Sequence, residues 1–146
     1  MRFNIDTVRE KGRLVADNER YRIHDFNLDD LTVSLTELRG GQSTRGHTHD
    51  SKAEVYIFRE GEGVMEVGSD SFEVSRGPVL IPRGEFHRVV NKSESSDLVF
   101  MSIFSGSRNG TRADYSHDKT SPRVAKKRLT PRRPRSTRTA AFQWPD

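Results

Sequence analysis

Between residues 31 and 105, hydrophobic and polar residues alternate in short segments that are separated by turn residues. In LTVSLTEL (31–38), for example, Leu31, Val33 and Leu35 fall on one side, as expected of a strand whose successive side chains point to opposite faces. Similar segments occupy residues 53–58, 63–67, 71–74, 78–82, 87–91 and 98–104, and Gly, Asp, Asn and Ser are common between them. About seven short strands without helical periodicity predict an all-β fold, either an antiparallel sandwich or a barrel.

The segments around and within this core extend the prediction. GRLVAD (12–17) and RYRIHDF (20–26) predict one or two edge strands within residues 1–30. Two core segments, VYIF (55–58) and VFMSIF (99–104), are apolar on both faces, which is typical of strands buried between layers or at a subunit interface. We therefore predict a single domain over residues 1–106, with its motif-bearing core at 31–105, that forms a homodimer through these strands.

The residues after Gly106 have a different character. Residues 107–146 contain four prolines and many Arg, Ser and Thr residues, with little hydrophobic periodicity. Such a segment cannot bury enough apolar surface to offset its ordering entropy, so we predict an extended or disordered arm of largely irregular structure. Phe142 and Trp144, near the end of this tail, are the exception, and we interpret them as a docking tip.

Charge is distributed unevenly along the chain. The net charge is +4, yet residues 1–118 hold 16 Lys and Arg against 20 Asp and Glu, whereas residues 119–146 hold nine against one. The basic tail therefore predicts anion binding, either to the phosphate backbone of a nucleic acid or to an acidic protein surface. Its candidate anion-binding residues are Arg123, Lys126, Lys127, Arg128, Arg132, Arg133, Arg135 and Arg138.

Composition also excludes several kinds of site. The chain has no cysteine, which excludes disulfides, thiolate metal ligands and cysteine nucleophiles. The N-terminal residues are polar and charged, unlike a signal peptide, and no segment approaches the roughly 18 apolar residues of a membrane span. We therefore expect a cytoplasmic protein, or a component of a particle assembled inside the cell, without membrane association.

Three of the five histidines and one glutamate form the candidate chemical site. His47 and His49 can share one face of an extended segment, and Glu54 lies at the start of the next predicted strand. His87 comes much later, directly after the Pro-x-Gly turn of residues 82–84. Three imidazoles and one carboxylate that meet inside a barrel suit one divalent transition metal, and Fe, Mn, Ni, Co, Cu and Zn are all compatible. The single carboxylate leaves such a site positively charged, so we expect a small anionic ligand.

The spacing of these residues resembles that of the cupin superfamily. The run Gly41-x5-His47-x-His49-x4-Glu54-x6-Gly61 is similar to the first cupin motif, and Gly77-x4-Pro82-x-Gly84-x2-His87-x3-Asn91 is similar to the second. This resemblance implies a jelly-roll barrel (a double-stranded β-helix) in which His47, His49, Glu54 and His87 hold the metal. The combination GHTH with AEVY also resembles the cupin-type phosphoglucose isomerases, which use a metal to hold the substrate while a proton moves between neighbouring carbons.

Several neighbouring residues are candidates for a role beside the metal. Tyr56 shares the face of Glu54 by the two-residue period, and it either moves a proton and orients the substrate or serves only in packing. Arg45, Lys52 and Arg83 flank the ligands on predicted loops and are candidate binding residues for an anionic substrate. Arg88 should point away from the site, and His24 and His117 lack such neighbours, so we assign them no role.

These observations leave several functions open. The leading hypothesis is a metal-binding cupin that acts as a small-molecule metalloenzyme, isomerase-like on a phosphorylated sugar. The same resemblance is compatible with a dioxygenase or a lyase, because one fold carries many chemistries. A further alternative is a non-enzymatic subunit of a virion or nucleoprotein particle, in which the basic tail anchors the barrel.

Overall fold

The computed structural model describes residues 3–106, which form one short helix and nine strands. The predicted strand segments are all strands, and their observed ends lie within two residues of the predicted ones. The elements in chain order are α1 (Ile5–Lys11), β1 (Arg13–Asp17), β2 (Tyr21–Leu28), β3 (Leu31–Leu38), β4 (Glu54–Glu60), β5 (Gly63–Val67), β6 (Asp70–Val74), β7 (Gly77–Ile81), β8 (His87–Asn91) and β9 (Leu98–Ser105).

The strands form two antiparallel sheets. Six strands make one sheet in the order β1-β2-β3-β9-β4-β7, and three make the other in the order β6-β5-β8. The segment before β4 runs beside β8, since Ser43 bridges Val90 and His47 bridges His87. The all-β jelly-roll prediction is confirmed, with β1 and β2 added at one edge of the larger sheet.

The main core lies between the two sheets. The larger sheet contributes Leu38, Phe58 and Phe100, and the smaller one contributes Met65 and Val89, all of them nearly inaccessible to solvent. These side chains pack at the end of the barrel where Leu38 pairs with Leu98. Apolar burial at this end leaves the opposite end of the barrel available for polar groups.

The helix α1 was not predicted from the sequence. Its N-cap residue Asn4 accepts a hydrogen bond from the backbone N–H of Thr7 at 2.9 Å, and Gly12 closes its other end on the carbonyl of Val8. Val8 is fully buried against Val33, Leu35 and Val99 on the outer face of the larger sheet. The outer face of β9, which is also apolar, is therefore covered in part by α1 of the same chain.

The homodimer predicted from these apolar faces stays a prediction. Leu80 on β7 is 73% exposed, and Val55, Ile57 and Met101 are partly exposed on the outer face of the same sheet.

Among residues 3–106, no helix has the length and apolar character that crossing a membrane requires. The tail predictions for residues 107–146, including the basic residues and the tip at Phe142 and Trp144, lie outside the described residues.

Candidate metal centre

Four predicted ligands come together inside the barrel. Glu54 is the first residue of β4 and His87 the first of β8, whereas His47 and His49 lie on the segment between β3 and β4. Backbone hydrogen bonds join His47 and His87 in both directions, at 3.1 and 3.0 Å, and the N–H of Gly84 donates to the carbonyl of His49 at 2.7 Å. The extra strand-like segment beside β8 thus brings residues from distant parts of the sequence to one place.

The side chains of this cluster converge at atomic distances. The Nε2 atoms of His47 and His49 are 2.8 Å apart, Nε2 of His49 is 3.0 Å from Oε1 of Glu54, and Nε2 of His87 is 3.4 Å from Oε2 of Glu54. One ligand atom from each of the four residues lies within 4.8 Å of all the others. His49, Glu54 and His87 are buried and His47 is half-buried. The cluster could therefore hold one metal ion.

Two atoms of the cluster indicate whether its residues are suited to hold a metal ion. The Nδ1 atom of His87 is 3.1 Å from the carbonyl oxygen of Glu85, so Nδ1–H donates there and the lone pair of Nε2 faces the cluster. Nε2 of His87 and Oε2 of Glu54 are buried and have no hydrogen-bond partner among residues 3–106. Buried acceptors without a donor are costly, and a cation between them removes that cost. The donor set fits a divalent transition metal.

The carboxylate in this cluster is ionised. Burial by itself would raise the pKa of Glu54, but the adjacent imidazoles of His49 and His87 outweigh this effect and lower the pKa to about 2. The neighbouring imidazoles therefore favour the anionic form of Glu54, the form in which a carboxylate binds a metal. A bound metal would need its imidazole ligands neutral and its carboxylate ligand ionised.

Tyr56 lies beside the cluster. It is buried on the inner face of β4, where its ring makes an edge contact with His87 at a centroid distance of 5.7 Å and stacks on Phe100 at 5.1 Å. Tyr56 thus shares the inner face with Glu54, as the two-residue period predicts, and Phe58 lies on the same face. Tyr56 places a phenol next to a metal ligand, while its stacked ring also serves the core.

The predicted substrate-binding cations differ in position. Lys52 is half-buried, and its Nζ lies 5.6 Å from the centroid of the Phe104 ring, which pairs across the sheet with Glu54. Arg45 and Arg83 are exposed. Lys52 therefore lies near the inner face that carries Glu54.

Two of the three residues to which the sequence assigns no role lie in the described part of the chain. Arg88 is paired with Glu66 at 2.8 Å on the smaller sheet. His24 lies on β2 outside the cluster, and its buried Nδ1 has no hydrogen-bond partner among residues 3–106. His117 falls outside the described residues.

One contact that positions the ligands could not be read from the sequence. Gly46, at φ +79°, precedes His47, and Phe86 precedes His87. A Cβ atom added at Gly46 would lie 2.8 Å from Cε2 of the Phe86 ring, and closer still to Cζ. The absence of a side chain at Gly46 therefore lets the two ligand-bearing segments pack together. The only sign of this contact in the sequence is the glycine directly before the predicted ligand His47.

Substitution of Gly46 should weaken metal binding through this contact. We expect Gly46→Ala to displace Phe86 or the backbone of His47 and to lower metal affinity by roughly ten- to a hundred-fold, as changes to residues supporting a ligand do. Gly84→Ala is the matched control, because Gly84 has the same φ of +79° and a Cβ there would meet nothing within 4 Å. Competition with a chromophoric chelator measures both affinities. Equal losses in the two variants would show that backbone strain, not the Phe86 contact, is responsible.

Comparisons with known proteins bear on this centre. The family model described as "Cupin domain" matches residues 34–104, which include all four clustered residues. No curated protein sequence matches the chain. Among solved structures, the chain is similar to TT1209 from Thermus thermophilus, with 26% sequence identity, a TM-score of 0.57 and coverage of 62% of this chain and 87% of that one.

Two further structures share the fold at lower identity. KdgF from Halomonas sp. is 16% identical with a TM-score of 0.59, over 68% of this chain and 90% of that one. Lactobacillus farciminis oxalate decarboxylase is also 16% identical with a TM-score of 0.59, but the match covers 67% of this chain and 32% of the enzyme. The "Cupin domain" model thus matches just under half of the chain, at residues 34–104, and the compared structures share the jelly-roll fold.

Proposed function

We propose that this chain is a metal-dependent enzyme that acts on a small anionic molecule, with isomerase-like chemistry on a phosphorylated sugar. The observation that carries the proposal is the buried cluster of three imidazoles and one ionised carboxylate, with Nε2 of His87 and Oε2 of Glu54 lacking a hydrogen-bond partner among residues 3–106. A purely structural cluster would be expected to satisfy these atoms within the protein.

The surrounding residues supply what such a reaction needs. A bound divalent transition metal would act as a Lewis acid toward substrate oxygen atoms. Tyr56 is a buried phenol beside His87 and is the candidate group to donate or accept a proton. Lys52 brings an ammonium group near the inner face at Phe104, where it can attract the anionic group of the substrate.

The compared structures support the fold and do not choose the reaction. Their printed names include KdgF and oxalate decarboxylase, and all but one of those described above are well under a quarter identical to this chain. An isomerase is favoured here because a proton transfer between neighbouring carbons requires a Lewis acid and one nearby group that removes the proton from the first carbon and returns it to the second. A metal held by the four clustered residues would be the Lewis acid, and Tyr56 is the candidate for the group that carries the proton.

Metal analysis tests this proposal directly. The full-length protein, purified without added metal, should contain one transition-metal ion per chain by elemental analysis. Chelation should abolish conversion between aldose and ketose phosphates, and a single divalent transition metal should restore it. A protein that is isolated without metal and takes up none would contradict the metal centre. Stoichiometric metal without turnover of any sugar phosphate would contradict the isomerase assignment alone.

A further inference from the structure

One half of the outer face of the larger sheet carries a block of apolar side chains. The helix α1 covers the other half, where Val8 packs against Val33, Leu35 and Val99. The block crosses β9, β4 and β7 in two cross-strand rows, and Leu80 at its edge is 73% exposed. We call it the outer apolar block, and its members are Ile103, Val55 and Leu80 in one row and Met101, Ile57 and Pro78 in the other. An apolar surface that α1 leaves open is available to another apolar group.

The size of the outer apolar block limits what can cover it. Three strands about 4.8 Å apart, each contributing two side chains to this face, give the block a footprint of roughly 200 Å². A stable protein–protein interface buries about 800 Å² on each partner, so the block by itself is too small for a stable dimer. One Phe or Trp side chain buries about 150–250 Å². The block therefore matches one or two aromatic side chains.

The same chain supplies two such side chains in its tail. Phe142 and Trp144 lie outside the described residues, and Trp144 is the only tryptophan of the chain. The tail leaves the barrel close to the outer apolar block, because Ile103 lies only about 10 Å before Gly106 along β9. Phe142 follows Gly106 by 36 residues, a length of chain that can span about 120 Å when it is fully extended. The tail is therefore long enough to bring both aromatic residues to the block of its own chain.

Charge also favours contact between the tail and the barrel. Residues 1–118 hold 16 Lys and Arg against 20 Asp and Glu, whereas residues 119–146 hold nine against one. Near the end of the outer apolar block that carries Ile57 and Pro78, the exposed carboxylates of Glu60, Glu62 and Asp97 outnumber the exposed cations of Arg59 and Arg76. The basic residues of the tail come directly before the aromatic pair. Opposite charges thus attract the tail to the part of the barrel that carries the block.

We propose that the outer apolar block is the docking site for Phe142 and Trp144 of the same chain. The helix α1 covers the neighbouring half of the sheet in the same manner, through the buried side chain of Val8. Docking removes the apolar surface of the two rings and of Leu80 from water, and it places the basic residues of the tail beside an acidic barrel. The docking site is separate from the metal cluster, because Val55 and Glu54 point to opposite faces of β4.

The fluorescence of Trp144 tests this proposal in the full-length protein. Quenching by acrylamide measures the exposure of its ring, and the urea-unfolded chain gives the value for a fully exposed ring. Leu80→Glu places a charge in the outer apolar block, and Leu14→Glu is the matched control, because Leu14 is 51% exposed on β1 at the opposite edge of the same sheet. Circular dichroism checks that both variants fold, and Leu80→Ser replaces Leu80→Glu if the glutamate variant does not.

We expect Trp144 to be protected from acrylamide in the wild type and in Leu14→Glu. Leu80→Glu should lower the equilibrium constant for docking roughly ten- to a hundred-fold, since a carboxylate replaces an apolar contact, and Trp144 should then be quenched as in the unfolded chain. The inference is overturned if Trp144 is fully exposed in the wild type, or if it stays protected in the Leu80 variant. Protection that disappears on dilution, together with a fall in mass by analytical ultracentrifugation, would assign the block to a second copy of the chain and would also overturn it.

Discussion

Replacing His87 by alanine should remove stoichiometric transition-metal binding and, with it, metal-dependent turnover. His87 is 1% exposed, and its Nε2 faces the cluster because Nδ1 is engaged by the carbonyl of Glu85. Once this imidazole is removed, only His47, His49 and Glu54 among residues 3–106 still offer ligand atoms in the cluster. We expect metal affinity to fall by more than about a hundred-fold, beyond the loss typical of residues that only support a ligand. Elemental analysis and chelator competition measure the change.

A histidine outside the cluster provides the control for this experiment. His24→Ala also removes a partly buried imidazole, but His24 lies on β2 and is not among the clustered residues. It should retain one metal ion per chain, whereas His87→Ala should not. Circular dichroism of both variants checks that the strands are intact. Retention of tightly bound metal by His87→Ala would show that the converging imidazoles are not the binding site.

Among the substitutions proposed for this protein, Phe58→Ala should lower the free energy of unfolding the most. Phe58 is 1% exposed, and its ring lies 5.3 Å from that of Phe100 and 6.4 Å from that of Tyr56, measured between centroids. Removing a buried aromatic ring loses its transfer free energy and leaves a cavity, so the free energy of unfolding should fall by about 3–5 kcal/mol. Urea unfolding of chelator-treated protein measures this, since bound metal would add its own stabilisation.

Phe72 offers a chemically matched comparison. It is 38% exposed on β6 in the smaller sheet, so Phe72→Ala should lower the free energy of unfolding by about 1 kcal/mol or less. The difference between the two variants isolates the effect of burial from that of the substitution itself. Similar losses in both variants would mean that the core between the sheets is not as closely packed around Phe58 as the ring distances indicate.

The sequence determined the strands and the ligand set of this protein. Period-two alternation is a local property, because each strand must place its apolar side chains on the buried face, and the observed ends of β3, β5 and β8 coincide with the predicted ones. His47 and His49 share a face by the same rule, and the motif spacing related them to Glu54 and His87 before any contact was known. The sequence pattern only weakly indicates the helix α1. The stability of this seven-residue helix depends more on the packing of Val8 against the sheet than on intrinsic helix propensity.

Only the tertiary structure decided how distant segments meet. The packing of Gly46 against Phe86 depends on two loops brought together by the pairing of His47 with His87, and no pattern along the chain specifies that approach. A cross-strand row runs from Asp25 through Ser34 and Ser102 to Tyr56, and it depends on the registers of four strands. A shift of one residue in any of these strands would turn the side chain of that strand to the other face. Alternation tells which residues share a side of one strand, but long-range pairing determines which residues of different strands become neighbours.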